Sequence, residues 1–181
     1  MKQHDIDEVW KKCKTGERKS QSLLYQHFAP RMYAVCLRYA VDTLEAEDML
    51  QSGFIKVFAK HQLFDERGPL EGWIRRVMVN TAIEIHRKNK VSFCDIDDNL
   101  QAHMLKSSIG TDQSAYQDLM QLIKQLPVGY RTVFNLYAIE GYTHQEIAKS
   151  LHISEGNSKS QLSRARTWLK DKLQKLEETE R

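Results

Sequence analysis

The sequence predicts an all-α fold of two small helical domains joined by an acidic linker. Three observations carry this. Apolar residues recur at helical spacing through most of the chain. Strand-like alternation is nearly absent, and the whole chain holds only three prolines. Residues 91–113 lack clear periodicity, and a structureless run of roughly twenty residues is uncommon inside one compact domain. With 181 residues, 41% of them hydrophobic, the chain can build one large or two small cores and is not largely disordered.

In order, residues 1–19 hold a short helix at best, around Ile6, Val9 and Trp10. A helix from Ser20 to Phe28 has Leu24 and Phe28 on one face. Pro30 then suits the first turn of a new helix, where Met32, Val35, Cys36 and Tyr39 continue the stripe. Asp42 with Glu45 marks another start. The helix Leu44 to Lys60 buries Met49 or Leu50, Phe54, and Val57 or Phe58. Its outer part carries Glu45, Glu47, Asp48, Gln51 and Lys56, which taken alone form a solvated face.

Gly68-Pro69 breaks the chain. Pro69 opens a long helix with Leu70, Trp73, Ile74, Val77, Met78, Thr81 and Ile85 in register. Arg75 and Arg76 lie near its start, and Asn80, Glu84, Arg87 and Lys88 further along. Exposed Asn and Arg near an aromatic ring suit single-stranded nucleic acid, by stacking and by reading base edges. Trp73 itself lies on the apolar stripe and is read as core.

Beyond the linker, Ser114 to Leu126 is a helix with Leu119, Leu122, Ile123 and Leu126 on one face. Pro127 ends it and begins the next, which buries Tyr130, Val133, Phe134 and Tyr137. Glu140-Gly141 stops that helix. A helix-turn-helix follows over Tyr142 to Lys172. Thr143 with Glu146 is a capping box. Ile147, Ala148 and Leu151 form the apolar face of its first helix. Leu151 to Ser154 is the turn, and Ser154 can cap the second helix. His152 stands where a residue tolerant of positive φ is wanted and Gly is the common choice. The second helix buries Leu162, Ala165, Leu169, Leu173 and Leu176. Its other face carries Asn157, Lys159, Ser160, Gln161, Ser163, Arg164 and Arg166. Short hydrogen-bonding side chains flanked by Lys and Arg suit a helix that enters a DNA groove.

Net charge is only +3, so its distribution is more informative than its size. Arg75, Arg76, Arg87, Lys88 and Lys90 form one basic cluster; Lys159, Arg164, Arg166, Lys170 and Lys172 form another. Between them Asp95, Asp97, Asp98, Asp112 and Asp118 face only Lys106. Two basic ends around an acidic connector suggest two nucleic-acid contacts. Cys13, Cys36 and Cys94 are too widely spaced for a metal motif or an evident disulfide framework, and read as buried free thiols. No signal peptide or membrane-spanning run is evident, which points to a soluble cytoplasmic protein.

The segments AEDMLQSGFIKVF, GWIRRVMVNTAIEIHRKNK and LPVGYRTVFNLYAIEGYTHQEIAKSLHISEGNSKSQLSRARTWL, in this order, resemble the sigma-70 family of bacterial transcription initiation factors. The likeness is to its small extracytoplasmic-function (ECF) group and spans about Leu23 to Leu173. EGYTHQEIA and SKSQLSRAR are similar to ECF factors of Bacteroidetes-type bacteria. The resemblance implies a sigma-two-type domain over residues 20–90 and a sigma-four-type domain over residues 114–176. It implies that Asp48, Gln51, Ile55 and Lys56 dock on core RNA polymerase. It implies that Phe64, Asp65, Asn80, Glu84, Arg87 and Lys88 recognise the minus-ten element as it melts, with Arg75 and Arg76 on the backbone. It implies that Asn157, Ser158, Lys159, Ser160, Ser163 and Arg164 lie near base edges or phosphates of the minus-thirty-five element, and Arg166 on phosphate. Asn157-Ser158 departs from the Thr-Val pair common in the family. The implied partners are core polymerase and promoter DNA, with an anti-sigma factor or a recruiting protein as a further class. No cofactor and no direct membrane insertion are implied.

Two other readings stand beside this one. A plain DNA-binding regulator would share the helix-turn-helix but leave the Asp48–Gln51 helix unexplained. An enzyme using Glu45, Glu47 and Asp48 as metal ligands lacks a matching His or second acidic cluster, so no catalytic residue is expected.

Overall fold

The computed structural model describes residues 3–88 and 115–179. The described residues are helical with no strand. The linker 91–113, with Lys90, Cys94, Asp95, Asp97, Asp98, Lys106 and Asp112, lies outside them. The chain divides into two compact units, Met1–His86 and Arg87–Arg181.

The first unit opens with α1 (Gln3–Lys14), a full three turns rather than the short helix expected. Ile6, Trp10 and Cys13, spaced four and three apart, are buried. The next helix, α2, runs unbroken from Arg18 to Tyr39 with Pro30 inside it. The expected break at Pro30 is therefore corrected. Leu24, Phe28, Met32, Val35, Cys36 and Tyr39 form one buried stripe on both sides of the proline. Burying each is worth about 1.5–3 kcal/mol, which outweighs the ~3 kcal/mol of an interior proline.

The third helix, α3 (Thr43–Ala59), starts as expected. Asp42 Oδ1 accepts from the Glu45 amide at 2.8 Å, and Glu45 Oε2 accepts from the Val41 amide at 2.6 Å. Met49, Leu50, Phe54 and Val57 are all buried. A 3-10 turn, His61–Leu63, leads into the segment that ends at Pro69. Then α4 (Leu70–Lys88), whose last two residues lie past the unit boundary at His86, buries Leu70, Ile74, Met78, Thr81 and Ala82. Gly53 of α3 faces Met78 of α4 so closely that a Cβ there would overlap the end of the Met78 side chain. A side chain at Gly53 would force this packed contact apart.

The second unit is built on α5 (Ala115–Gln125), α6 (Val128–Phe134), α7 (His144–Leu151) and α8 (Glu155–Thr179). Leu122, Ile123, Leu126, Tyr130, Ala165 and Leu169 form its core, with Met120, Phe134, Trp168 and Leu176 against it. The buried Arg131 guanidinium donates to the Lys124 carbonyl at 2.9 Å, which satisfies one of the orphan carbonyls at the end of α5. A π-helical turn over Asn135–Ile139 follows α6. It rotates the register, so Asn135 and Leu136 are buried while Tyr137 is exposed, contrary to expectation. Leu119 and Leu173, also expected inside, are exposed at 39% and 41%.

Candidate nucleic-acid interface

The helix-turn-helix is set by local hydrogen bonds. Thr143 Oγ1 accepts from the Glu146 amide at 3.2 Å, and Glu146 Oε2 accepts from the Thr143 amide at 2.8 Å. The Thr143 amide, and the Thr143 hydroxyl donating to Glu146 Oε2 at 2.8 Å, hold the Glu146 carboxyl below its ordinary value. His152 takes the left-handed conformation at φ 56°. Ser154 Oγ accepts from the Asn157 amide at 3.0 Å and starts α8. The capping box, the positive-φ position at His152 and the Ser154 cap were legible in the sequence.

The outer face of α8 carries Lys159, Ser160, Ser163, Arg164 and Arg166, all exposed, with Asn157 half-buried at its edge. Two expected members are not on that face. Ser158 is fully buried, and its hydroxyl lies 2.9 Å from Nδ1 of His144. The expectation that Ser158 approaches a base edge or phosphate is corrected: a side chain sealed between α7 and α8 supports the helix rather than touching a ligand. Gln161 is also buried and donates to Asn157 Oδ1 at 2.8 Å.

Three residues outside α8 hold this face. Arg164 Nη1 donates to the Tyr130 hydroxyl at 3.3 Å. The Arg166 guanidinium sits over the Tyr137 ring, 5.6 Å from its centroid. Tyr137 in turn stacks on His144 with ring centroids 4.6 Å apart. Sequence reasoning missed Tyr137 and His144 as supports because the π turn that brings Tyr137 out leaves no local signal.

In the first unit, Asp48, Gln51 and Ile55 share one exposed stripe of α3. Leu44, 71% exposed, extends it one turn earlier; the spacing 44, 48, 51, 55 would have identified it. Lys56 points elsewhere, to Glu84 and Thr81 of α4. On α4, Arg76, Asn80, Glu84, Arg87 and Lys88 are exposed and Arg75 is half-buried. Phe64 is half-buried against Trp10 and Trp73, so Trp73 is part of an aromatic cluster at the edge of the core. Asp65 is exposed and accepts from the Arg67 amide at 3.2 Å.

Among the described residues no group of three or more His, Cys, Asp or Glu side chains is placed to hold a metal ion. No described helix is long and apolar enough to cross a membrane.

Residues 24–91 match sigma-70 region 2, and residues 116–169 match sigma-70 region 4. The RNA polymerase sigma factor SigZ of Bacillus subtilis is 30% identical over 129 residues, 71% of this chain and 72% of the relative. The chain belongs to the sigma-70 family. Within it, the likeness is to the ECF group: the ECF RNA polymerase sigma factor SigE of Mycolicibacterium smegmatis is 28% identical over 158 residues. That match takes in 84% of this chain and 61% of the length of SigE. The sigma factor RpoE of Bartonella quintana, solved in complex with the anti-sigma factor NepR, has the same fold, with a TM-score of 0.52 at 22% identity. It aligns over 84% of this chain and 96% of RpoE. In this sigma-70 chain, α3 and α4 lie inside the region 2 match, and α6 and α7 inside the region 4 match.

Proposed function

We propose that the chain is a transcription initiation factor that binds core RNA polymerase, directs it to specific promoters and assists promoter melting. The carrying observation is the exposed Lys159, Ser160, Ser163, Arg164, Arg166 face of α8, in a chain whose other unit matches sigma-70 region 2. A helix of roughly 10–12 Å diameter fits a major groove of about 12 Å. Arg164 is the residue for a bidentate base contact; Lys159 and Arg166 neutralise phosphate.

The stripe Asp48, Gln51 and Ile55 is the proposed polymerase-docking face. Lys56 is the fourth residue proposed for docking, with its ammonium already engaged by Glu84 and Thr81. Phe64, Asp65, Asn80, Glu84, Arg87 and Lys88 are the proposed minus-ten contacts, with Arg75 and Arg76 on the backbone. Holding an unstacked base offsets part of its flipping cost, a few kcal/mol. The factor works by binding, with no covalent step of its own. The proposed domain limits are residues 20–90 and 114–176, and the proposed compartment is the cytoplasm. An anti-sigma factor is a proposed further partner, as RpoE, of the same fold, was solved in complex with one.

Runoff transcription with purified core polymerase and a genomic promoter library tests this reading. Transcripts starting downstream of one shared two-part motif are expected. Failure of the chain to bind core polymerase would return it to the class of plain DNA-binding regulators.

A further inference from the structure

The segment from Lys60 to Pro69 has little structure of its own. It holds one 3-10 turn, the Asp65 bond to the Arg67 amide and an exposed 3.5 Å Asp65–Arg67 ion pair, with the His61 ring 3.0 Å from the Phe58 carbonyl at its start. Glu66 lies at φ 60°, a left-handed conformation that a Glu does not favour, so neighbours must hold it. From α1, Lys14 reaches Glu66 and Trp10 reaches Phe64, while Trp73 of α4 backs Phe64 from the other element. Lys14 Nζ contacts Glu66 Oε1 at 2.5 Å. The Trp10 ring lies 6.0 Å from Phe64, edge to face, and 5.8 Å from Trp73. Phe64 and Trp73 are themselves 5.5 Å apart. Trp10 is 4% exposed, so its ring is packed inside this aromatic cluster. All of α1 precedes residue 24, where the region 2 match begins.

We propose that α1 is a brace that fixes the Lys60–Pro69 segment, with Trp10 and Lys14 as positioning residues for capture of an unstacked promoter base. The inference rests on the function proposed above, in which Phe64 and Asp65 take part in that capture. A segment already held in its binding conformation loses less freedom when the base arrives. The right base gains most from a fixed pocket edge, because a wrong base meets the same edge with poorer contacts and the segment cannot adapt to it. The brace therefore acts on discrimination more than on gross affinity.

The test uses holoenzyme assembled from core polymerase and the full chain. Its probes are labelled single-stranded oligonucleotides bearing the minus-ten sequence found by runoff transcription, and single-base variants of it. The readout is the ratio of affinities for matched and mismatched strands. Trp10→Leu is expected to lower the ratio about ten-fold, the scale of the two ring pairs lost. Lys14→Glu is expected to lower it about three-fold, as for a partly exposed ion pair, and Lys14→Glu with Glu66→Lys to restore it. Affinity for core polymerase and for the upstream duplex should stay unchanged. An unchanged ratio in Trp10→Leu and Lys14→Glu, with only a lower melting temperature, would reduce α1 to core packing and overturn the brace. If Trp10→Leu does not fold, the surface pair Lys14 and Glu66 decides the question through the charge swap. Absence of any base preference in the wild-type holoenzyme would instead overturn the assignment of the Phe64–Asp65 segment, and the brace with it.

Discussion

Lys56 of α3 and Glu84 of α4 form a 2.7 Å ion pair, and the same ammonium donates to the Thr81 hydroxyl at 3.2 Å. One residue comes from the proposed polymerase-docking helix and the other from the proposed promoter-reading helix. The pair ties the two surfaces together inside one unit. Both side chains are partly exposed, so its stability contribution is about 0.2–1 kcal/mol. A double-mutant cycle with Lys56→Met and Glu84→Gln, followed by chemical denaturation, should return a coupling in that range. Polymerase binding should fall more for Asp48→Ala with Gln51→Ala than for Lys56→Ala, because Lys56 is already engaged. A larger loss for Lys56→Ala in a pull-down titration would place the docking face on the wrong side of α3.

The exposed face of α8 separates into two kinds of contact. Arg164→Ala should weaken binding to the upstream promoter duplex by about 1–3 kcal/mol and relax preference at one base pair. Arg166→Ala should weaken binding evenly across sequences and reduce the salt-dependence slope by about 1. Ser158→Ala should leave sequence preference intact and cost about 1 kcal/mol of stability through the lost His144 contact. Anisotropy titrations across a salt series, alongside thermal melts, check all three.

His152 holds a left-handed conformation in the turn between α7 and α8. Glycine adopts it without steric cost, so His152→Gly should stabilise the protein by about 1 kcal/mol. A β-branched residue suffers more there, and His152→Val should destabilise by about 1–2 kcal/mol. A His152→Gly variant that melts lower than wild type would mean that the imidazole makes a contact which outweighs the strain.

Burial pushes the Cys36 thiol up to about 12, and burial with the nearby Glu17 carboxylate pushes Cys13 up to about 11. The ordinary value is 9.0. The unfolded chain therefore releases these protons first. The stability they contribute is fully present below pH 9.0 and is lost as pH rises towards 11 and 12. Denaturation across this range should show a steeper alkaline loss for wild type than for Cys36→Ala. Both thiols should also resist alkylation at neutral pH in the folded protein.

The local features of this fold were legible in the sequence because short-range chemistry sets them. The Asp42 and Thr143 caps, the Ser154 start of α8 and the left-handed His152 each depend on a few consecutive residues. The helical stripes around Leu24, Met49, Leu122 and Leu162 follow from period alone. So did the exposure of the candidate polar faces, apart from Ser158 and Gln161 on α8 and Lys56 on α3, which turns to Glu84 and Thr81. Tertiary packing decided the rest. Pro30 stays inside α2 because the buried stripe continues past it, and α1 docks through Ile6, Trp10 and Cys13. The π turn at Asn135–Ile139 shifts the register and sends Tyr137 outward, and α7 covers Ser158. The physical reason is one of range. A cap or a helical period is settled within a turn or two, whereas burial of a given side chain depends on which distant helix arrives against it.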